Sequence, residues 1–244
     1  MKALILCAGY STRLHPLTLN TPKQLLKVGS KLMIDQILDK IKGLKNIDEV
    51  IIVSNNKFYD QFIEWSKNYD KITIVNDGTN NNEERLGAVG DIHFVVQELE
   101  INDDLMVIGG DNLFKFSLEN MHSFFLGKNS SIVAVYDLLD PMKLAKKFGT
   151  IELNENEKIT GFEEKPEKPK TSLASTACYI FTKEHLQLLN RCIEENHTPD
   201  NLGDFIRWLS KNQEVYGFVF KEAWIDIGSP EEYAFVQQQF SDEI

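Results

Sequence analysis

Short, wholly apolar runs recur along this 244-residue chain, and they constrain its fold more than any other feature. Runs of this kind with helical patterns between them are typical of buried parallel strands joined by crossover helices. Between the first two runs, apolar residues at 34–44 keep the spacing of an amphipathic helix, which predicts a β-α-β unit. The apolar runs lie at 4–6, 50–53, 72–75, 105–108 and 132–135.

The pattern changes between about residues 148 and 181. An apolar stretch at 150–153, a polar turn at 154–157 and a second stretch at 158–162 predict a β-hairpin inserted into the α/β pattern. Near the end of the chain, Ser229 followed by Pro230 and Glu232 predicts the start of the last helix. The residues therefore favour an α/β protein with mostly parallel strands.

The charge balance and the cysteines exclude several classes of protein. Thirty-seven acidic against 26 basic residues give a formal net charge of -11, which repels a nucleic-acid backbone unless the basic residues gather in one patch. We therefore expect no nucleic-acid binding. Cys7, Cys178 and Cys192 show no C-x-x-C spacing, which favours a reducing cytoplasm over a disulfide framework or zinc site. No stretch approaches the roughly 20 apolar residues of a membrane span, so we expect no membrane insertion.

The segment after the first strand combines small residues with two cations. Gly9 and Ser11 are followed by Arg13 and, after a short interval, Lys23. Ligands bind at the carboxyl ends of strands in open α/β sheets, and small residues let backbone N–H groups approach a phosphate. The glycine patterns of the dinucleotide-binding and Walker A loops are absent. Two interpretations stay open, a phosphate-binding loop and an ordinary turn with two surface cations.

Two carboxylates follow other apolar runs. Asp111 comes after the run at 105–108, at the same sheet edge as the first loop, where it could hold Mg²⁺ or simply end a strand. Asp226, flanked by Trp224 and Ile227, is expected to be partly buried and therefore to need a metal or a base as partner. Two such acids in one cleft would make a metal site.

Several segments in order resemble the sugar-1-phosphate nucleotidylyltransferase family. The family signature is a loop of the form G-x-G-[ST]-R-L-x-P-L-T followed by P-K-x-L-L, which residues 13–18 and 22–26 match. The Gly-Asp-Asn at 110–112, the Phe-Gly at 148–149, the Glu-Glu-Lys-Pro at 163–166 and the Trp-Ile-Asp-Ile-Gly at 224–228 also match. The resemblance spans nearly the whole chain and is closest to the glucose-1-phosphate thymidylyltransferases.

The resemblance implies a fold and a reaction. The implied fold is a Rossmann-like mixed, mostly parallel sheet flanked by helices, with the inserted β-hairpin. The implied enzyme moves a nucleoside monophosphate from a nucleoside triphosphate, with dTTP favoured, to a sugar 1-phosphate, with glucose 1-phosphate favoured, and releases pyrophosphate. We expect one domain over 1–244, with a nucleotide-binding half to about 138, a sugar-phosphate-binding half at about 139–228 and a C-terminal helix at about 229–240.

The resemblance also assigns roles to individual positions. Arg13 and Lys23 are implied as catalytic, Arg13 holding the triphosphate and Lys23 the reacting phosphate. Asp111 and Asp226 are implied as ligands of the cofactor Mg²⁺. The implied nucleotide-binding residues are Ala8, Gly9, Ser11, Thr12, Gly87 and Asp111, and the implied sugar-phosphate-binding residues are Gly149, Glu164, Lys165 and Thr176.

Some positions depart from the family pattern and keep alternatives open. Ser11 stands where the second glycine of the loop is usual, so the backbone there must avoid positive φ or tolerate strain. The asparagine-rich segment at 76–90 occupies the place where the family contacts the base. One alternative is a cytidylyl- or uridylyltransferase of the same fold that acts on another phosphate such as phosphocholine. A non-catalytic nucleotide-sugar sensor is a second, and a dinucleotide-dependent oxidoreductase, disfavoured by the missing glycine pattern, is a third. Assembly as a homo-oligomer is left open.

Overall fold

The computed structural model describes residues 1–196 and 200–241. The strands are β1 (Lys2–Leu6), β2 (Lys27–Val28), β3 (Lys31–Leu32), β4 (Val50–Ser54), β5 (Ile72–Asn76), β6 (Leu105–Gly109), β7 (Asn112–Phe114), β8 (Ile132–Asp137), β9 (Thr150–Leu153), β10 (Ile159–Glu163), β11 (Leu173–Phe181), β12 (Tyr216–Phe220) and β13 (Trp224–Asp226). The helices are α1 (Met33–Ile41), α2 (Tyr59–Ser66), α3 (Gly87–Glu98), α4 (Leu118–Lys128), α5 (Lys183–Leu186), α6 (Leu189–Asn196), α7 (Leu202–Asn212) and α8 (Pro230–Ser241). Within these described ranges, no helix is both long and apolar enough to cross a lipid bilayer.

The chain divides into two compact units, and the boundary between them falls within β6. The first unit contains Met1–Leu86, Ile108–Leu118 and the segment from Ala223 onward, and the second contains Gly87–Val107 and Glu119–Glu222. The central sheet is mixed and mostly parallel and is flanked by helices, which confirms the predicted fold class. The prediction of one domain with a division near 138 stays a prediction, and residues 197–199 and 242–244 of its ranges lie outside the described residues.

The first unit is built on three parallel strands that lie at predicted apolar runs. β1 pairs with β4 and β4 pairs with β5, with Ala3 opposite Val50 and Val50 opposite Ile72. These strands are almost wholly apolar because their central side chains are buried. The predicted amphipathic helix is α1, whose buried stripe consists of Met33, Ile34, Ile37, Leu38 and Ile41. The β-α-β unit predicted from the spacing is confirmed.

A short antiparallel pair in the same unit joins two distant motifs. β7 pairs with β13, so that Asn112 lies opposite Asp226 and Phe114 lies opposite Trp224. The predicted last helix follows directly as α8, and the hydroxyl of Ser229 accepts the N–H of Glu232 at 3.2 Å in its first turn. This pairing brings the Gly-Asp-Asn and Trp-Ile-Asp-Ile-Gly segments to one place.

The second unit contains the inserted hairpin. β9 and β10 pair antiparallel, and the turn between them is closed by Asn154, whose side-chain oxygen accepts the N–H groups of Asn156 and Lys158 at 3.0 Å each. β9 also pairs with β11, which runs antiparallel to β8, while β12 runs parallel to β8. The predicted hairpin is confirmed, and it carries Glu163 at its end.

Candidate active site

The loop after β1 presents a run of backbone N–H groups. Ser11 adopts the left-handed conformation with φ 49 and ψ 40, so the loop tolerates strain rather than avoiding positive φ. In the part of the chain that the structure describes, the N–H groups of Gly9, Tyr10 and Ser11 have no hydrogen-bond acceptor. The loop begins at the buried Ala8 and ends at the exposed Thr12. Successive N–H groups around a left-handed residue form a concavity that suits an anion.

Lys23 is buried although it is charged, with 5% of its surface exposed. Its ammonium group donates to Asp111 Oδ2 at 2.8 Å and to the carbonyl oxygen of Ile227 at 2.8 Å. A buried ammonium needs such partners, because removing an unpaired charge from water costs several kcal/mol. The interpretation of Lys23 as a surface cation is therefore wrong, and the structure brings two predicted site residues, Lys23 and Asp111, into contact.

The Asp111 carboxylate is oriented by an amide and an indole. Asn112, which is 3% exposed, donates its side-chain N–H to Asp111 Oδ1 at 2.8 Å and accepts a hydrogen bond from Trp224 Nε1 at 2.7 Å. Burial raises the pKa of Asp111, but the charge and hydrogen bond of Lys23 and the hydrogen bond of Asn112 outweigh burial and hold that pKa below its ordinary value. The carboxylate is therefore ionised at neutral pH, and it keeps 34% of its side chain exposed.

Asp226 lies near Asp111, but its pKa is raised rather than lowered. Burial and then the negative charge of Asp111 raise the pKa of Asp226 to about 7, and the charges of Lys23 and Arg13 lower it by less. Asp111 and Asp226 lie near one buried ammonium, which is bonded to Asp111, so the pair carries an excess of negative charge. A divalent cation would compensate that excess.

Arg13 lies over Gly228 at the start of α8. A Cβ built on Gly228 would be 3.1 Å from Arg13 Nη2 and 3.4 Å from Glu232 Oε2. The Glu232 carboxylate accepts the N–H of Gly228 at 2.8 Å, which fixes it at the first turn of the helix. The Arg13 side chain is exposed, and its guanidinium offers a planar set of donors suited to a phosphate. The first unit thus contains all four predicted catalytic and metal-binding residues, Arg13, Lys23, Asp111 and Asp226, in one region.

Gly110 precedes Asp111 at a point where the backbone is crowded. A Cβ at this position would lie 2.8 Å from Cys7 Sγ, from Gln24 Cγ and from the carbonyl oxygen of Leu6, so any side chain would force the backbone to move. Gln24 is 3% exposed, and its Oε1 has no hydrogen-bond partner among the described residues. A buried amide oxygen without a donor is unfavourable, and a donor on a ligand would satisfy it.

In the second unit, Glu164 lies between two glycines. A Cβ on Gly149 would be 3.0 Å from Glu164 Oε2 and 2.8 Å from Phe162 Cζ, and one on Gly203 would be 2.8 Å and 2.6 Å from the same atoms. Burial raises the pKa of Glu164 by more than the charge of Lys165 lowers it. Lys165 Nζ lies 3.7 Å from Glu164 Oε1, and the Lys165 side chain is 53% exposed. The structure therefore brings three predicted sugar-phosphate residues, Gly149, Glu164 and Lys165, together.

Thr176 and Gly87 are the two other predicted binding residues of the second unit. Thr176 is 1% exposed, and its hydroxyl donates to the carbonyl oxygen of Ala134 at 2.8 Å, so its only proton is already used within the protein. Gly87 begins α3 with φ 77, and a Cβ there would lie 2.4 Å from Asp200 Oδ1. Positive φ and close contact both require glycine at this position.

Comparison with known proteins identifies the family. Residues 2–243 match the nucleotidyl transferase family. The chain belongs to that family. The predictions of family and of enzyme class are confirmed at this level, because the match covers nearly the entire chain.

Curated relatives and solved structures agree with the family. The chain is 30% identical over 230 residues to the bifunctional protein GlmU of Methanocaldococcus jannaschii, a match that covers 94% of this chain and 52% of the relative. The chain thus spans about half the length of the curated relatives it matches. A Bacillus anthracis protein named as a glucose-1-phosphate thymidylyltransferase, solved with sucrose, superposes with a TM-score of 0.85 at 23% identity, covering 99% of this chain and 96% of that one. A UDP-glucose pyrophosphorylase solved with UDP-glucose has a TM-score of 0.82 at 22% identity, covering 100% of this chain and 99% of that one.

Three residues beside the predicted site residues received no role from the sequence, although two of them lie within the matched segments at 22–26 and 110–112. Gln24 and Asn112 directly follow the predicted residues Lys23 and Asp111, so adjacency was the available signal. Gly203 has no such signal, because its contact with Glu164 forms only when the first turn of α7 meets the end of the hairpin.

Proposed function

We propose that this chain transfers a nucleotidyl group from a nucleoside triphosphate to a sugar 1-phosphate. An oxygen of the sugar phosphate forms a bond to the α-phosphorus, the bond from that phosphorus to the bridging oxygen breaks, and pyrophosphate leaves with the electron pair. The observation that carries the proposal is the buried Lys23 ammonium, bonded to Asp111 and to Ile227. The reaction brings two anions together, so fixed and desolvated positive charge is what it requires.

Different residues of the first unit would bind different parts of the triphosphate. Lys23 would neutralise the charge that develops at the α-phosphate, since its ammonium is already held in place before substrate arrives. The N–H groups of Gly9–Ser11 would bind phosphate oxygens, and the exposed guanidinium of Arg13 would bind the departing pyrophosphate. The sugar phosphate is itself the nucleophile, so no covalent enzyme intermediate is needed.

Asp111 and Asp226 are the residues that would hold Mg²⁺. No group of three or more His, Cys, Asp or Glu able to hold a metal occurs among residues 1–196 and 200–241. A two-carboxylate donor set fits Mg²⁺, because this ion usually takes its other ligands from water and substrate phosphates. Burial and then the negative charge of Asp111 raise the pKa of Asp226, and a cation bound between the two carboxylates would offset both effects. When bound, Mg²⁺ supplies charge neutralisation on the phosphate oxygens.

The second unit would bind the acceptor. The Glu164 carboxylate, held between Gly149 and Gly203, can accept hydrogen bonds from sugar hydroxyl groups. The Lys165 side chain is 53% exposed, and its ammonium group can pair with the sugar phosphate. Thr176 would contribute through its backbone rather than its hydroxyl, because that hydroxyl donates to Ala134.

The favoured substrates are dTTP and glucose 1-phosphate, and Mg²⁺ is the favoured cofactor. The names of both solved neighbours contain glucose, one as a thymidylyltransferase and one as a UDP-glucose enzyme, which supports a pyrimidine donor and a glucose acceptor. The test is a matrix of nucleoside triphosphates against sugar 1-phosphates and phosphocholine, with pyrophosphate release and product mass as readouts. If phosphocholine gives a product and the sugar 1-phosphates do not, the acceptor is not a sugar phosphate. If no pair of substrates releases pyrophosphate, the non-catalytic sensor is favoured.

Lys165→Ala is expected to raise the KM for the sugar phosphate about 10-fold, because one charge-assisted contact to phosphate is lost. The KM for the nucleoside triphosphate should change little, and steady-state kinetics with each substrate varied in turn measure both values. Lys168→Ala, at an exposed lysine on the same loop, is the matched control. A rise confined to the triphosphate KM would reverse the assignment of the two subsites.

Trp224→Phe is expected to raise the Mg²⁺ concentration needed for half-maximal rate about 10-fold, because the indole no longer orients Asn112 against Asp111. Loss of Mn²⁺ affinity, measured by electron paramagnetic resonance of the free ion, should accompany it. Trp65→Phe is the control, since its indole also donates to a side-chain oxygen, here of the Asp35 carboxylate, at 2.9 Å. Equal metal dependence in both variants would contradict the role of Trp224.

A further inference from the structure

Ser11, the strained residue of the loop after β1, is held by a buried threonine. Thr18 has no exposed surface, and its hydroxyl donates to the carbonyl oxygen of Ser11 at 2.8 Å. The same oxygen accepts the N–H of Leu14 at 3.0 Å. Both lone pairs of this carbonyl are therefore used, which fixes the direction of the peptide group that follows Ser11.

Ser11 needs such a restraint because it is not glycine. A residue with a Cβ is disfavoured in the left-handed conformation and keeps it only where the surrounding structure over-determines it. Loss of the Thr18 hydroxyl would remove one of the two bonds while the strain stays. Relaxation of Ser11 would then change the directions of its N–H group and of those of Gly9 and Tyr10 relative to one another.

Other side chains restrain the first part of the loop. Asn55, which is fully buried, donates its side-chain N–H to the carbonyl oxygen of Ala8 at 2.8 Å. Tyr10 Oη lies 3.2 Å from Thr79 Oγ1, and the Thr79 hydroxyl donates its single proton to Asp77 at 2.8 Å, so Tyr10 is the donor to Thr79. These bonds act on Ala8 and Tyr10, whereas Thr18 acts on Ser11 itself.

We propose that Thr18 is a positioning residue for the nucleoside triphosphate. Its hydroxyl keeps Ser11 left-handed, and this conformation keeps the N–H groups of Gly9, Tyr10 and Ser11 directed at the phosphates. The proposal rests on the proposed function, because it assigns these N–H groups to the triphosphate of that reaction. Thr18 itself touches no substrate and acts through Ser11.

The test is a double-substitution cycle read by calorimetric binding of inorganic tripolyphosphate. Thr18→Val keeps the shape of the side chain and removes the hydroxyl, and it should raise the dissociation constant about 5- to 10-fold. In the Ser11→Gly background the same substitution should raise it less than about 2-fold, because glycine is left-handed without a Cβ penalty. Thr18→Ser retains the hydroxyl and should bind as the wild type does.

Thr73→Val is the matched control, since the Thr73 hydroxyl donates to Glu49 rather than to the loop. It should leave the affinity unchanged in both backgrounds, and melting curves check that every variant is folded. In turnover, Thr18→Val should raise the KM for the triphosphate and leave that for the sugar phosphate unchanged.

Three results would overturn the role of Thr18: no effect of Thr18→Val, an equal effect in both backgrounds, or a wild type that binds no tripolyphosphate. A wild type that binds tripolyphosphate but transfers no nucleotide would remove the proposed function alone, because the binding cycle does not depend on turnover.

Discussion

Lys23→Ala should lower kcat about 100- to 1,000-fold, the loss seen when one preorganised charge-stabilising donor is removed. Lys23 is 5% exposed and its ammonium group is bonded to Asp111 and to the Ile227 carbonyl, so no reorganisation is needed when charge develops at the α-phosphate. Pyrophosphate release at saturating concentrations of both substrates measures the effect. Substrate KM values should change less than kcat, because the interaction strengthens in the transition state.

The control for Lys23 is the exposed Lys27, four positions along the chain. Lys27→Ala should keep near-normal turnover. Because Lys23 is buried, a melting curve must show that the Lys23→Ala variant folds. If that variant does not fold, Lys23→Met, which keeps the aliphatic volume, is used in its place. Near-normal kcat in a folded Lys23 variant would rule out the proposed role.

Asp226→Asn should abolish most activity and stabilise the metal-free protein at alkaline pH. Loss of a metal ligand should lower kcat about 100-fold or more. The folded-state pKa of Asp226 is about 7, above the ordinary 3.8. Between these values the folded protein holds a proton that the unfolded chain has released, so the free energy of unfolding falls as pH rises. The penalty is complete above pH 7 and absent below the ordinary pKa, and asparagine removes it.

Melting temperatures in EDTA measure this stability effect. Asp226→Asn should melt above the wild type at pH 8, and the difference should shrink toward pH 4. Saturating Mg²⁺ should raise the melting temperature of the wild type more than that of the variant, because the variant lacks one ligand. Asp70→Asn, at an exposed aspartate of the same unit, should show neither effect. A wild type whose pH dependence matches the Asp226→Asn variant would contradict the assignment.

Hydrophobic pattern was sufficient to predict the elements that frame the site. The apolar runs became β1, β4, β5, β6 and β8, and the spacing at 34–44 became α1. Local turn chemistry was sufficient for the β9–β10 hairpin, where the Asn154 side chain closes the turn. These predictions succeed because side-chain period and turn residues act within a few positions of the chain.

Site geometry was only partly predictable. The motifs named Lys23, Asp111 and Asp226, but not that Lys23 would be buried or that Asp226 would hold a proton up to about pH 7. Thr176 was named as well, yet its hydroxyl is bonded to Ala134. Burial and partner charges depend on segments far apart in the chain, so no local pattern reports them.

The sequence by itself determined the five strands at the apolar runs and the β9–β10 hairpin, the position of the loop after β1 and which charged residues follow it. The tertiary structure decided what those residues do for one another: β7 pairs with β13, which brings Trp224 to Asn112 and Asp226 beside Asp111. It also decided that Ser11 is left-handed and that its carbonyl oxygen accepts a hydrogen bond from the Thr18 hydroxyl. The physical reason is the distance along the chain over which each effect acts. Backbone preference acts between neighbouring residues, whereas desolvation, Coulomb interaction and hydrogen-bond direction depend on where residues lie in space.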